Sequence, residues 1–143
     1  MWHWYSKIQA VSLLNSVITS GPLELSRFLH IAIQLTSIIA QLHSQGIVHA
    51  NLRPDVVLLD NVGKDVWITE RDHALKLNGS EQLRSVHSEG NLAYIAPEQT
   101  GSIDVDSDYR TDLYSLGAIL YEMLTGKPPF EVQEPLELIH CQV

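Results

Sequence analysis

The spacing of apolar residues along the chain predicts two long helices. Steps of three and four residues run through about 24–44, where the apolar stripe consists of Phe28, Ile31, Leu35, Ile38, Ile39 and Leu42. A second helix over about 111–124 carries Leu113, Leu116, Leu120 and Leu124 on one side, with Ile119 and Met123 widening that surface. Stripes of this width face a protein core. Shorter helices are predicted over Val11–Ile18 and Pro135–Gln142.

Short apolar runs predict one small β-hairpin. Val56–Leu59 and Val66–Ile68 flank the polar segment Asp60–Asp65, which is the pattern of two strands joined by a turn. Ile47–Val48 is too short for more than a bridge of strand, and the polar, aperiodic span 73–91 predicts a long loop. The predicted architecture is therefore mainly helical with one hairpin, and no linker divides it.

Charge and cysteine content narrow the classes of partner and compartment. Seventeen acidic and nine basic residues give a net charge of −8, which argues against nucleic acid or an anionic membrane as the main partner. The single cysteine, Cys141, excludes an internal disulfide, and we expect it to be buried in its helix. Polar residues interrupt the richest apolar stretch, Phe28–Leu42, so no membrane span is predicted. These features favour a soluble, cytoplasmic protein.

Three motifs occur in a fixed order along the chain. They are His49-Ala50-Asn51-Leu52-Arg53-Pro54, then Tyr94-Ile95-Ala96-Pro97-Glu98, then Asp112-Leu113-Tyr114-Ser115-Leu116-Gly117 with its exit Thr125-Gly126-Lys127-Pro128-Pro129-Phe130. Over nearly its whole length the chain resembles the C-terminal lobe of the protein kinase superfamily. The runs YIAPEQTG and DYRTDLYSLGAILYEMLTGKPPF are further similar to the degenerate kinase-like module that opens large sensor histidine kinases of fungi and bacteria.

The resemblance implies a partial protein-kinase-like domain over residues 1–143. Its expected parts are helices at about 11–45, a degenerate catalytic loop and hairpin at 47–69, an activation segment at 70–98, a central helix at 111–125 and a final helix at 135–142. No Gly-rich phosphate loop or Val-Ala-Ile-Lys-type strand precedes Val11. We therefore expect that the nucleotide-holding N-terminal lobe and the last helices of the domain are missing.

The catalytic positions implied by the resemblance are degenerate. Asn51 stands where the family has the proton-accepting Asp, and a neutral amide cannot take up a proton; losing a general base costs about 10²–10⁴ in rate. Val56 replaces an Asn that holds the second metal ion, and its alkyl group offers no lone pair. Arg53, in the place of a Lys, keeps the charge but not the geometry of an ammonium group.

Other positions retain part of the implied chemistry. Leu58 would form the floor under adenine, and Glu70, in Glu70-Arg71-Asp72 where the family has Asp-Phe-Gly, would be a residual Mg²⁺ ligand or else an ordinary exposed acid. His49 would pack and hydrogen-bond beneath the loop, and Asp112 would hold the loop backbone.

The end of the activation segment bears on the stability of the isolated chain. Pro97 and Glu98 belong to the motif that ends the activation segment, where the Arg that usually pairs with Glu98 is absent. A half-buried carboxylate without its partner is costly, so we expect the isolated chain to be marginally stable.

Metal sites of other kinds find little support. The seven histidines show no ligand spacing. The cluster of Asp104, Asp106 and Asp108 lacks the Gly and closing Glu of a calcium loop, so a solvated acidic connector is the preferred interpretation.

Three hypotheses follow for function. The first is a catalytically impaired pseudokinase module with a docking or regulatory role in signal transduction, whose partner is a protein or the remaining domains of a larger signalling protein, with no confident cofactor. The second is a divergent Ser/Thr kinase, dependent on ATP and Mg²⁺, whose N-terminal lobe is missing from this chain. The third is an incomplete gene product without an independent role.

Overall fold

The computed structural model describes residues 11–61, 63–69, 75–76, 92–100, 105–131 and 134–142. In chain order the helices are α1 (Leu14–Ile18), α2 (Leu25–Ser44), α3 (Tyr109–Thr125) and α4 (Pro135–Gln142). The strands are β1 (Val11–Leu13), β2 (Ile47–Val48), β3 (Val57–Asp60), β4 (Val66–Ile68) and β5 (Leu75–Lys76). Single turns of 3₁₀ helix lie at Pro54–Val56, Leu92–Tyr94 and Pro97–Thr100. The described residues are thus mainly helical with small antiparallel sheets, as the sequence predicted.

The predicted hairpin is present and carries a third strand. β3 pairs antiparallel with β4, Leu58 opposite Trp67, and β1 pairs antiparallel with the other edge of β3, Leu13 opposite Leu58. The prediction of helix over Val11–Ile18 is therefore wrong for its first three residues. A short apolar run does not distinguish a strand from a helix, and here the free edge of β3 supplies hydrogen-bond partners to Val11–Leu13.

The turn between β3 and β4 is fixed by side chains. Asp60 Oδ1 accepts hydrogen bonds from the backbone N–H of Lys64 at 2.5 Å and of Asp65 at 3.2 Å. Gln34 of α2 donates to the Lys64 carbonyl and accepts from the Val66 N–H. The hairpin is thereby attached to α2 along its edge.

Helix α2 forms the centre of the hydrophobic core. The Glu24 carboxylate caps its first turn by accepting from the N–H groups of Ser26 and Arg27, which satisfies two donors that lack partners within the helix. Its buried face follows the predicted stripe at Ile31, Leu35, Ile39 and Leu42, and Phe28 and Ile38 pack partly buried against it. The helix ends where Gly46 takes a φ of +69°, a conformation that glycine adopts without strain.

Helix α3 turns a different face inward from the one predicted. Leu113 and Leu124 are exposed at 48% and 45%, so their predicted place on the core-facing side is wrong. The buried face consists of Thr111, Asp112, Ser115, Leu116, Ala118, Ile119, Glu122 and Met123. Half of these residues are polar and form specific hydrogen bonds. The positions of apolar residues alone therefore could not locate the buried face.

Two expectations about the periphery are also wrong. Cys141 is exposed on α4 rather than buried, because the short helix packs through Leu138, which is 0% exposed, on another face. Within the predicted loop over 73–91, Leu75–Lys76 forms β5 and pairs with β2. The other residues of that span lie outside the described ranges.

Helix α2 is long and apolar enough, by length and composition alone, to cross a membrane. One such helix is weak evidence, since core helices pass the same test. In this structure its apolar stripe packs against α3 and β4.

Candidate functional site

The loop after β2 is anchored from α3 by a buried carboxylate. Asp112 is 0% exposed, and its two oxygens accept the backbone N–H groups of His49 at 2.8 Å and Ala50 at 2.7 Å. His43 Nε2, 2.9 Å away, donates a third hydrogen bond to the same carboxylate. Among the described residues, His43 is the basic side chain that contacts this carboxylate, so the loop position depends on one buried acid held by three hydrogen bonds.

His49 fixes the underside of the loop. The ring is 1% exposed, its Nδ1 accepts the Asn51 N–H at 3.3 Å, and Nε2 lies 3.1 Å from the Thr69 carbonyl. With Nδ1 as the acceptor, Nε2 is placed to donate to the Thr69 carbonyl. The ring therefore links the loop to the residue that follows β4.

Asn51 and Arg53 lie on the outer part of this loop and are half-buried. Arg53 Nε is 2.6 Å from Asp55 Oδ1, and the Asp55 side chain is 46% exposed. Asp55 is the nearest carboxylate in sequence to Asn51, and it lies against the Arg53 guanidinium. The described part of the loop thus presents an amide and an ion pair.

Val56 points away from the loop surface. It is 0% exposed and belongs to the same hydrophobic cluster as Leu35, Leu59 and Met123. Its backbone carbonyl accepts both the N–H and the Oγ1–H of Thr69, at 2.8 Å and 3.2 Å. The Val56 side chain is therefore part of the hydrophobic core.

Leu58 lies on the outer face of the three-stranded sheet. Directly opposite residues on paired strands share one face, so Leu13, Leu58 and Trp67 form one row across β1, β3 and β4. Leu58 is half-buried, while Leu13 and Trp67 are 38% and 36% exposed. We call these three residues the apolar sheet row.

The segment 92–100 is fastened to α3 and α4. Glu98 is half-buried and accepts a 2.6 Å hydrogen bond from Thr111 Oγ1, so its carboxylate has a neutral partner within the chain. Ser115 donates to the Tyr94 carbonyl, and Gln142 donates to the Ile95 carbonyl at 2.7 Å. Pro97 opens the last 3₁₀ turn, and its carbonyl accepts from Thr100 Oγ1.

Tyr94 and Glu122 form a buried acid–phenol pair. The Tyr94 hydroxyl donates to Glu122 Oε2 at 2.5 Å. Burial, together with the neighbouring carboxylate, raises the pKa of Tyr94 far above its usual value. Burial likewise raises the pKa of Glu122, although the phenol hydrogen bond opposes that shift. The pair favours forms with little charge and serves as a polar joint between segment 92–100 and α3.

Gln99 joins this segment to the loop. Its Oε1 accepts the Ala96 N–H at 3.0 Å, and its Nε2 donates to the Ala50 carbonyl at 2.8 Å. Gln99, Glu122 and His43 were not singled out from the sequence, and Tyr94 was named only as part of its motif. What these four residues share in the sequence is that each is polar and lies within or beside a motif, or on a largely apolar helix.

The described residues add no support for a metal site. Glu70 and Asp104 lie outside the described residues. Asp108 caps α3 and engages the Arg110 guanidinium at 2.8 Å, which lowers the pKa of the Asp108 carboxyl. Within the described ranges, no group of three or more His, Cys, Asp or Glu side chains could hold a metal ion.

Comparison with known proteins identifies the family. The protein kinase domain model matches residues 5–142. The chain belongs to the protein kinase family. It is 42% identical over 115 residues to the DNA damage-responsive serine/threonine-protein kinase RqkA of Deinococcus radiodurans, covering 77% of this chain and 17% of that protein.

Two further relatives are serine/threonine-protein kinases. PknB of Mycolicibacterium smegmatis is 31% identical over 95% of this chain and 22% of that protein. PrkC of Bacillus subtilis is 29% identical over 92% of this chain and 20% of that protein. The chain therefore spans about a fifth of the length of these relatives. The narrower similarity to sensor histidine kinase modules stays a prediction.

Proposed function

We propose that this chain is a pseudokinase module that docks a protein partner, or further domains of a larger signalling protein, in the cytoplasm. The observation that carries the proposal is Val56, which is 0% exposed in the hydrophobic core at the position implied for the second-metal ligand. A buried alkyl group cannot bind an ion. Asn51 adds the loss of the proton acceptor in the same loop.

The scaffold around these positions is kept, which supports a binding role over simple decay. Asp112, His49 and Gln99 still hold the loop through specific hydrogen bonds. The apolar sheet row offers a partner a surface of three large side chains. A partner that inserts an apolar side chain there would bury these residues from water, which favours association.

Phosphotransfer by a longer protein containing this chain tests the proposal. We expect no incorporation of phosphate from ATP above background, and no difference between the wild type, Arg53→Ala and the exposed control Asp106→Ala. Robust ATP-dependent phosphorylation that Arg53→Ala or Glu70→Ala abolishes, and that Asp106→Ala leaves intact, would refute the pseudokinase assignment.

The alternative is a divergent Ser/Thr kinase, and the relatives favour it because all three are named as serine/threonine-protein kinases. Leu58 would then lie beneath adenine, and Glu70 would carry Mg²⁺ alone. Each tenfold loss of rate corresponds to about 1.4 kcal/mol of barrier, so losses at Asn51 and Val56 compound. A thermal shift of the longer protein by ATP that requires Mg²⁺ would favour this alternative, and no shift would favour the pseudokinase.

A further inference from the structure

Ala50 adopts a backbone conformation that residues with a side chain rarely take. Its φ is +63°, and it is the only non-glycine residue with positive φ in the described part of the chain. The left-handed region brings Cβ close to the following carbonyl oxygen, so an L-residue there is strained. Such a residue persists only where its surroundings hold it in place.

Both peptide groups beside Ala50 are held by side chains from other elements. The Ala50 N–H donates to Asp112 Oδ1 of α3 at 2.7 Å, and its carbonyl accepts from Gln99 Nε2 at 2.8 Å. Asp112 also holds His49, and the peptide after Ala50 has two contacts: Gln99 donates to its carbonyl, and His49 Nδ1 accepts its Asn51 N–H at 3.3 Å. The Asp112 and Gln99 contacts therefore attach the two peptide groups beside Ala50 to other elements of the fold.

The orientation of the Gln99 amide is itself fixed. Its Oε1 accepts the N–H of Ala96, a residue that is 0% exposed, at 3.0 Å, and its own backbone N–H donates to the Ala96 carbonyl at 2.9 Å. With the oxygen committed to an N–H donor, the NH₂ group must face Ala50. A glutamate could keep the first contact and could not make the second, because a carboxylate has no N–H to donate.

We propose that Gln99 is the positioning residue of the 49–53 loop, and that it acts by holding Ala50 in its left-handed conformation. The loop carries Asn51 and Arg53, so the same amide determines how these side chains are presented. The inference applies whether the loop docks a partner or takes part in phosphotransfer, and it is independent of the proposed function.

Amide hydrogen exchange followed by mass spectrometry tests this role in the full chain. The variants are Gln99→Ala, Gln99→Glu and, as a matched control, Gln41→Ala, since Gln41 is an exposed glutamine on α2. We expect exchange in peptides covering 47–54 to rise about 10-fold in both Gln99 variants, which corresponds to about 1.4 kcal/mol. Peptides covering 25–44 should be unchanged, and the control should match the wild type.

Two further variants, Ala50→Gly and the double variant Ala50→Gly/Gln99→Ala, distinguish a positioning role from a general effect on stability. Glycine takes positive φ without strain. The double variant Ala50→Gly/Gln99→Ala should therefore exchange in 47–54 less than about threefold faster than Ala50→Gly alone. Unchanged exchange in both Gln99 variants would overturn the proposal. Acceleration spread equally over 25–44, or an equal effect with and without Ala50→Gly, would overturn it too, because each shows that Gln99 does not act through Ala50.

Discussion

Removal of the Asp112 carboxylate should destabilise the fold more than removal of any exposed acid. In Asp112→Ala the backbone N–H groups of His49 and Ala50, both buried, lose their acceptor. An unsatisfied buried donor costs about 1–3 kcal/mol. His43, whose side chain is 17% exposed, can turn to water and adds little. The free energy of unfolding should therefore fall by about 2–6 kcal/mol, out of a typical total of about 5–15 kcal/mol.

The asparagine variant refines this prediction. Asp112→Asn keeps the shape of the side chain and one acceptor oxygen, so only one of the two backbone N–H groups loses its partner. Its loss should be about 1–3 kcal/mol and fall between those of the wild type and Asp112→Ala. The burial cost of the native charge offsets part of both losses, because neither variant carries that charge.

Urea denaturation followed by circular dichroism measures these differences, with Asp106→Ala as the exposed control. The free energy of unfolding should decrease from the wild type to Asp112→Asn and again to Asp112→Ala, and the control should equal the wild type. An Asp112→Ala chain that unfolds within about 0.5 kcal/mol of the control would refute it, since surface changes already reach that size.

Two further predictions follow from buried positions. Burial raises the pKa of Glu122 above 4.5, so the folded chain binds more protons than the unfolded chain in the window above pH 4.5, and stability should fall as pH rises through the raised pKa. The melting temperature of the wild type should therefore fall with pH between pH 4.5 and 8, and that of Glu122→Gln should fall less. Equal slopes in the two proteins would contradict the assignment. Val56→Asn should lower the free energy of unfolding by about 1–3 kcal/mol because it buries an amide in a site that is 0% exposed. Val105→Asn, at a position that is 51% exposed, should change stability little in the same denaturation assay, and equal losses would count against the burial argument.

The pattern of apolar residues was sufficient to predict α2 and the hairpin. The α2 stripe at Ile31, Leu35 and Ile39 is buried as its spacing predicts, because a helix has only one face on which such residues meet. The hairpin required only two apolar runs and a polar turn with Gly63, which has a φ of +68°. Local patterns therefore suffice to find these elements.

Contacts between distant segments decided the remainder. Leu113 and Leu124 are apolar yet exposed, whereas Asp112 and Glu122 are polar yet buried, because loop N–H groups and Tyr94 satisfy them. The amide of Gln99 lies 49 residues from the carbonyl that it holds. The sequence by itself determined the family and the two long helices, and it predicts a loss of chemistry at Asn51 and Val56. Only the tertiary structure decided which polar groups are buried, since a polar residue can leave water only where another segment brings it a hydrogen-bond partner.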